Sequence, residues 1–140
     1  MLYNFHEGGF NLFSMAKYKL DFYRDKNGES QTLNFILALK AASKTDKNAR
    51  VQYNLISRYI NLLLEHGSIL PDNFMKHIYE DIWELRPGYN RVLYFCWQGD
   101  TFVMLNHFRK TTAKTPVNEI IKAKRERDDY KRRHNNHGNN

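Results

Sequence analysis

Residues 79–109 limit most sharply how this chain can fold. Three runs, Tyr79–Arg86 (YEDIWELR), Tyr89–Gln98 (YNRVLYFCWQ) and Thr101–Arg109 (TFVMLNHFR), are crowded with aromatic and aliphatic residues. Only Pro87-Gly88 and Gly99-Asp100 part them. Connections this short join antiparallel neighbours, so the pattern predicts a three-stranded meander. Such a sheet has to bury an apolar face, and its flanks supply the cover. Ser30 stands as an N-cap before Leu33, Ile36, Leu37 and Lys40, which repeat at helical spacing over 30–44. Thr45-Asp46 opens a second helix, 47–66, with Val51, Leu55, Tyr59, Leu62 and Leu63 on one face and Ile56 and Ile60 beside it. His66-Gly67 ends that helix, and Pro71-Asp72 marks a loop.

Ahead of the helices, Tyr18, Leu20 and Phe22 alternate with Lys17, Lys19 and Asp21 as in a strand, followed by a turn at Asp25–Gly28. After the meander, Thr115-Pro116 starts a helix with Glu119 in its first turn, running to about Arg133. The resulting order is β-α-α-β-β-β-α. It describes an α+β fold in which a small antiparallel sheet is packed by an N-terminal helical hairpin and a C-terminal helix, the helices lying on one face.

At 140 residues the chain is the size of one domain. Residues 15–133 carry the periodic patterns. Residues 1–14 (MLYNFHEGGFNLFS) mix aromatics, Gly and Asn without a period, and read as a disordered extension or a non-native start ahead of Met15. Residues 134–140 (HNNHGNN) read as a disordered tail. A single cysteine, Cys96, excludes an internal disulfide and favours a reducing cytoplasm; set in a strand between Phe95 and Trp97, it reads as an inert buried thiol. No run approaches the ~20 apolar residues of a membrane span, so no membrane association is expected.

The net charge of +7 is lopsided. Residues 109–133 hold ten bases and four acids, whereas the rest holds twelve bases and eleven acids. A basic face beside aromatic strands suits a polyanion such as RNA, and a solvated helix is the plainer alternative. Antiparallel pairing predicts that Arg91 and His107 are cross-strand neighbours, with Arg86, Lys110 and Lys114 close by. Guanidinium groups grip phosphate in a fixed fork, lysine acts as a point charge, and histidine moves protons near neutral pH. Such a cluster suits metal-independent RNA cleavage; taken singly, each arginine is equally a salt-bridge partner for Glu84, Glu80 or Asp81. No Gly-rich phosphate loop, HExxH or Ser-His-Asp order is present, and no cofactor or metal is expected.

The segments WELR at 83–86, RVLYF at 91–95, LNHFRKTTAKTP at 105–116 and the AKRER helix that follows resemble the phage-derived HigB branch of the RelE/ParE toxin superfamily. The resemblance spans about residues 17–133 and implies a RelE-like fold. It implies a toxin of a type II toxin–antitoxin system, a cytoplasmic endoribonuclease that cuts translated mRNA on the ribosome. The partner implied is a HigA-like helix-turn-helix antitoxin. Carried onto this chain, the family-type positions are His107, Arg91, Arg86 and Lys110, read as catalytic, and Lys114, read as RNA-binding; Arg109, Lys76 and Lys122 are further RNA-binding candidates. The tyrosine that RelE members place in their last segment has no equivalent, Tyr130 lying deep in the basic helix. Two other readings stand beside it: a ParE-like toxin that binds gyrase without chemistry, and a decayed toxin that still binds antitoxin or RNA.

Overall fold

The computed structural model describes residues 5, 6, 9, 10 and 16–138. Phe5–His6 (β1) and Gly9–Phe10 (β2) pair as a short antiparallel ladder; the rest of the 1–14 extension lies outside the described residues, as do 139–140 of the tail. The main body comprises β3 (Lys19–Phe22), α1 (Gln31–Ala42), α2 (Lys47–His66), β4 (Met75–Tyr79), β5 (Ile82–Leu85), β6 (Asn90–Trp97), β7 (Thr101–Arg109) and α3 (Val117–Gly138). The fold is α+β, with a five-stranded sheet in the order β3-β7-β6-β5-β4.

Both helix starts expected from the sequence carry their caps. Ser30 Oγ accepts from Leu33 N at 3.1 Å, and Asp46 Oδ1 accepts from Asn48 N at 2.9 Å. α2 stops at Gly67, where φ is +74° and the N–H donates to Leu63 O at 2.8 Å. A Cβ there would meet Tyr18 Oη at 3.0 Å, so both the left-handed backbone and the close approach call for glycine.

Four expectations are corrected. The sheet is mixed: β3 runs parallel to β7, because the α1–α2 hairpin and the meander bring the chain back beside it in the same direction. The run 79–86 is not one strand but a hairpin between β4 and β5, turned at Glu80 with φ +51°. β4 escaped notice because an edge strand with only Met75 buried gives little alternation. Helices cover both faces rather than one. Leu20, Phe22, Tyr94, Phe102 and Met104 pack under α1 and α2, whereas Leu93, Phe95, Val103 and Leu105 pack under Ala123 and Tyr130 of α3. On α2 the buried stripe is Tyr53, Ile56, Ile60, Leu63 and Leu64, so Val51 is left exposed.

α3 runs on to Gly138, beyond the end expected near Arg133. His134 explains the extra turn: its ring stacks on Tyr130 at 3.7 Å and 15°, and its Nδ1 lies 2.9 Å from Tyr130 O. Cys96 is exposed rather than buried, whereas Trp97 beside it packs on Tyr130 and His134 of α3. Partial burial of the thiol still pushes its pKa up, which leaves it a poor nucleophile. No helix among the described residues is long and apolar enough to cross a membrane.

Candidate functional site

Alternation along β5 and β6 sets Glu84 and Arg91 on the α3 face of the sheet. Glu84 is 2% exposed, and three donors converge on it. Arg86 Nε lies 3.1 Å and Arg91 Nε 3.8 Å from Oε1, and Thr115 Oγ1 donates to Oε2 at 2.6 Å. Arg86 Nη1 also donates to Asp72 O at 2.9 Å, and Arg91 Nη1 to Gly88 O at 2.7 Å and Asn90 O at 2.9 Å. Burial pulls the Arg91 pKa down and Glu84 pulls it back up. Phe108, Lys110 and Lys114 complete the recess, which therefore has four cations around one carboxylate. A buried carboxylate holding two guanidiniums in place while lysines ring the rim leaves surplus positive charge that favours an anion. The plainer reading of the arginines holds as well, since both are ion-paired to Glu84.

His107 is not in this recess. The expected Arg91–His107 pair is replaced by Arg91↔Phe108 and Val92↔His107, because a register shift opens between Val92 and Tyr94. Leu105 and Asn106 together oppose Leu93, and this bulge turns every later side chain of β7 to the other face. Phe108 accordingly packs with the α3 cluster, while His107 stacks on Phe35 of α1 at 4.5 Å and 12°. Thr32 Oγ1 lies 2.7 Å from Leu105 O and 3.1 Å from His107 Nδ1. Its single proton goes to the carbonyl, so Nδ1–H of His107 donates to Thr32 and Nε2 keeps its lone pair. Burial first, and then Lys122, lower the His107 pKa against the pull of Glu119. The lowered pKa favours the neutral ring, with the nitrogen a general base needs.

The other sequence candidates scatter. Lys76 sits on edge strand β4 opposite Glu84. Arg109 lies over the Tyr89 ring at 5.7 Å. Lys122 reaches from α3 to Gln31 Oε1 at 3.4 Å, on the His107 side. The basic helix is less open than its composition implies. Arg127 is buried and binds Asp81 and Glu80, Lys131 binds Asp81, and Arg132 and Arg133 bind Asp129. Lys110, Lys114, Lys122, Lys124 and Arg125 have no carboxylate partner among the described residues, so open charge gathers around the start of α3. Tyr130 gives its hydroxyl to Asp21 at 2.8 Å and is buried; it is a packing residue.

Sequence reasoning missed Thr115 and Thr32 as site residues. Thr115 was legible as part of the loop beside Lys114; Thr32 depends on tertiary neighbours that no local period reveals. Among the described residues no group of His, Cys, Asp or Glu could hold a metal ion. No curated protein matches the chain. The profile "Phage derived protein Gp49-like (DUF891)" matches residues 39–128, which run from α1 through the Glu84 recess and His107 into α3. The chain belongs to this Gp49-like family, a RelE/HigB-like family of toxins whose place in toxin–antitoxin systems implies an antitoxin partner.

Proposed function

We propose that this toxin is a HigB-like, metal-independent endoribonuclease that cuts mRNA on the ribosome in the cytoplasm and is neutralised by a HigA-like helix-turn-helix antitoxin. Residues 15–133 form the toxin unit in this reading, with 1–14 and 134–140 as appendages. The observation that carries it is the Glu84 recess, where Arg86, Arg91, Lys110 and Lys114 surround a single buried carboxylate. Arg86, Lys110 and Lys114 hold a backbone phosphate there and offset charge as it develops on the phosphorane. Arg91, 7% exposed, positions Glu84 and Arg86 and adds its charge from beneath. His107 Nε2 takes the proton of the ribose 2′-hydroxyl, whose oxygen bonds to the adjacent phosphorus as the P–O5′ bond breaks, leaving a 2′,3′-cyclic phosphate and a 5′-oxygen that Lys110 protonates. Lys76, Arg109 and Lys122 guide flanking phosphates. The strand crosses the end of the sheet, where the register pairs Arg91↔Phe108 and Val92↔His107 are adjacent.

A second reading draws on the same register. Because Arg91 and His107 leave opposite faces of the sheet, the cation cluster also suits a toxin that only binds, as a ParE-like gyrase poison does. Induced expression in a bacterium followed by primer extension on abundant mRNAs separates the two. New 5′ ends inside translated codons, lost in both His107→Ala and Lys110→Ala/Lys114→Ala strains, are the expected result. Growth arrest with intact mRNA would establish the binding reading, and cleavage undiminished in both variants would remove these residues from the site.

A further inference from the structure

Tyr89 closes the turn between β5 and β6, and its side chain stays outside the core, 69% exposed. A lone surface tyrosine is ordinary in a folded protein. What sets this one apart is how firmly its backbone is held. Arg91 Nη1 donates to the carbonyls of both its neighbours, Gly88 O at 2.7 Å and Asn90 O at 2.9 Å. The Tyr89 carbonyl accepts from Lys110 N at 2.8 Å, which carries the β6–β7 ladder one step past Asn90↔Arg109. Gly88, at φ +65°, seats the turn against α2, where an added Cβ would come within 3.0 Å of Leu55 Cδ2. Asn90 Nδ2 ties the next residue to Gln52 Oε1 of α2 at 3.1 Å.

The residues that hold this backbone also line the cation cluster. Arg91 and Lys110 belong to the Glu84 recess, so ring and recess are fixed relative to one another. Arg109 covers one side of the ring, its guanidinium carbon 5.7 Å from the centroid. Among the described residues no second group lies over the ring. A rigid aromatic surface backed by a cation, beside a cluster that attracts anions, offers what a single nucleic-acid strand needs: a π-face for a base and positive charge for the backbone. An acidic peptide would engage the cations but brings no flat ring at every unit. Ring and cations together therefore favour a strand in which charge and flat rings alternate.

We infer that Tyr89 is a stacking platform for one base of a single-stranded RNA whose adjoining phosphate lies in the Glu84 recess, with Arg109 backing the ring. The inference rests on the RNA-cleaving reading and adds a base contact to it. Every base has a π-face, so the platform fixes where the strand sits without reading its sequence. Tyr89 holds the substrate and moves no proton. Rim cations alone would hold the backbone in any register; a stacked base stops the strand from sliding past the site.

The test is a fluorescence-anisotropy titration of the full-length protein with two labelled decamers of equal charge. One is 2′-O-methyl oligoadenosine, in which the attacking hydroxyl is blocked; the other is the same backbone without bases. The parent should bind oligoadenosine ~10-fold more tightly than the abasic strand, the order expected of one stacked base. Tyr89→Ala should erase that preference, weakening oligoadenosine ~10-fold and the abasic strand less than ~2-fold, whereas Tyr89→Trp should keep it. Since no charge is removed, log affinity should fall with log salt at the same slope in the parent and in Tyr89→Ala. Equal weakening of both strands, or a changed salt slope, would mean that the ring acts only by holding Arg109, and overturns the platform. No loss for either strand, or no binding by the parent, overturns it as well. Growth arrest lost in Tyr89→Ala with RNA affinity unaltered would reassign the ring to a protein partner. Failure of the nuclease reading appears separately, as intact mRNA in the primer-extension experiment with the preference for bases still present.

Discussion

The two polar clusters flanking β7 are opposites in hydrogen-bond balance. Around Glu84, donors exceed acceptors: one buried carboxylate serves two guanidiniums and a threonine, and lysines stand unpaired at the rim. Around Asn106 and Glu126 acceptors are left over, and two buried oxygens find no donor among the described residues. The first arrangement is internally satisfied and presents surplus positive charge outward, so it holds together without a ligand and attracts an anion. The second carries the cost of acceptors buried without donors. Two carboxylates thus sit in opposite settings: Glu84 is fully buried among donors, whereas Glu126 is partly buried and keeps one oxygen without a donor among the described residues.

The largest effect that tests this contrast is expected at Glu84. Glu84→Ala leaves Arg86 and Arg91 without their shared counter-charge and should cost about 3–5 kcal/mol in urea unfolding. A loss below 1 kcal/mol would mean that the arginines find other partners and that Glu84 is not their anchor.

Glu126 should behave in the opposite sense. Burial, against the pull of Lys122 and Arg125, pushes its carboxyl up to about 7, compared with about 4.3 in an unfolded chain. The folded state therefore holds the proton more tightly. This contribution to stability is fully present below about pH 4.3 and is lost as pH rises through 7. Glu126→Gln should accordingly leave stability nearly unchanged at about pH 4 and raise it by about 2–4 kcal/mol at pH 8 relative to the unsubstituted chain. His107, with its lowered pKa, changes in the reverse direction, so the difference between the two proteins is the quantity to compare. A variant less stable at pH 8 would show that the ionised carboxylate has a donor after all.

A smaller effect falls on the hydroxyl beside His107. Thr32→Val removes the hydroxyl that serves Leu105 O and His107 Nδ1 and should cost about 1 kcal/mol. Imidazole ¹⁵N shifts should report Nδ1–H in the parent and a mixture of tautomers in the variant. A parent already protonated at Nε2 would withdraw the general-base role from that nitrogen.

Least affected in stability are the rim lysines. Lys110→Ala and Lys114→Ala should each shift unfolding by less than about 0.5 kcal/mol. Each should still reduce the salt dependence of single-stranded RNA binding by a slope of about 0.7, one phosphate contact apiece. An unchanged slope would place the RNA elsewhere.

Much of this molecule is written locally. Ser30 and Asp46 cap their helices, Gly67 stops α2, and alternation along Ile82–Leu85 places Glu84 on one face and Trp83 and Leu85 on the other. Short-range stereochemistry sets these features, and neighbours a few residues away suffice. The identity of the arginines and lysines in the Glu84 recess was legible too, because Arg86 and Arg91 flank the tight turn between β5 and β6 and Lys110 and Lys114 follow the end of β7.

What the sequence could not reveal follows from packing between distant segments. One residue of bulge at Leu105–Asn106 reverses the face of His107, and no period in TFVMLNHFR announces it, because both arrangements leave apolar residues facing a helix. The parallel pairing of β3 with β7 depends on the route the chain takes through two helices. The pairing of Arg127, Lys131 and Arg133 with acids likewise decides how much of the basic helix stays open. Residue chemistry and local geometry were fixed by the sequence alone; which charges meet, which are left unpaired and which face a catalytic side chain takes were decided by the tertiary fold, since each depends on a contact that closes only when remote segments pack.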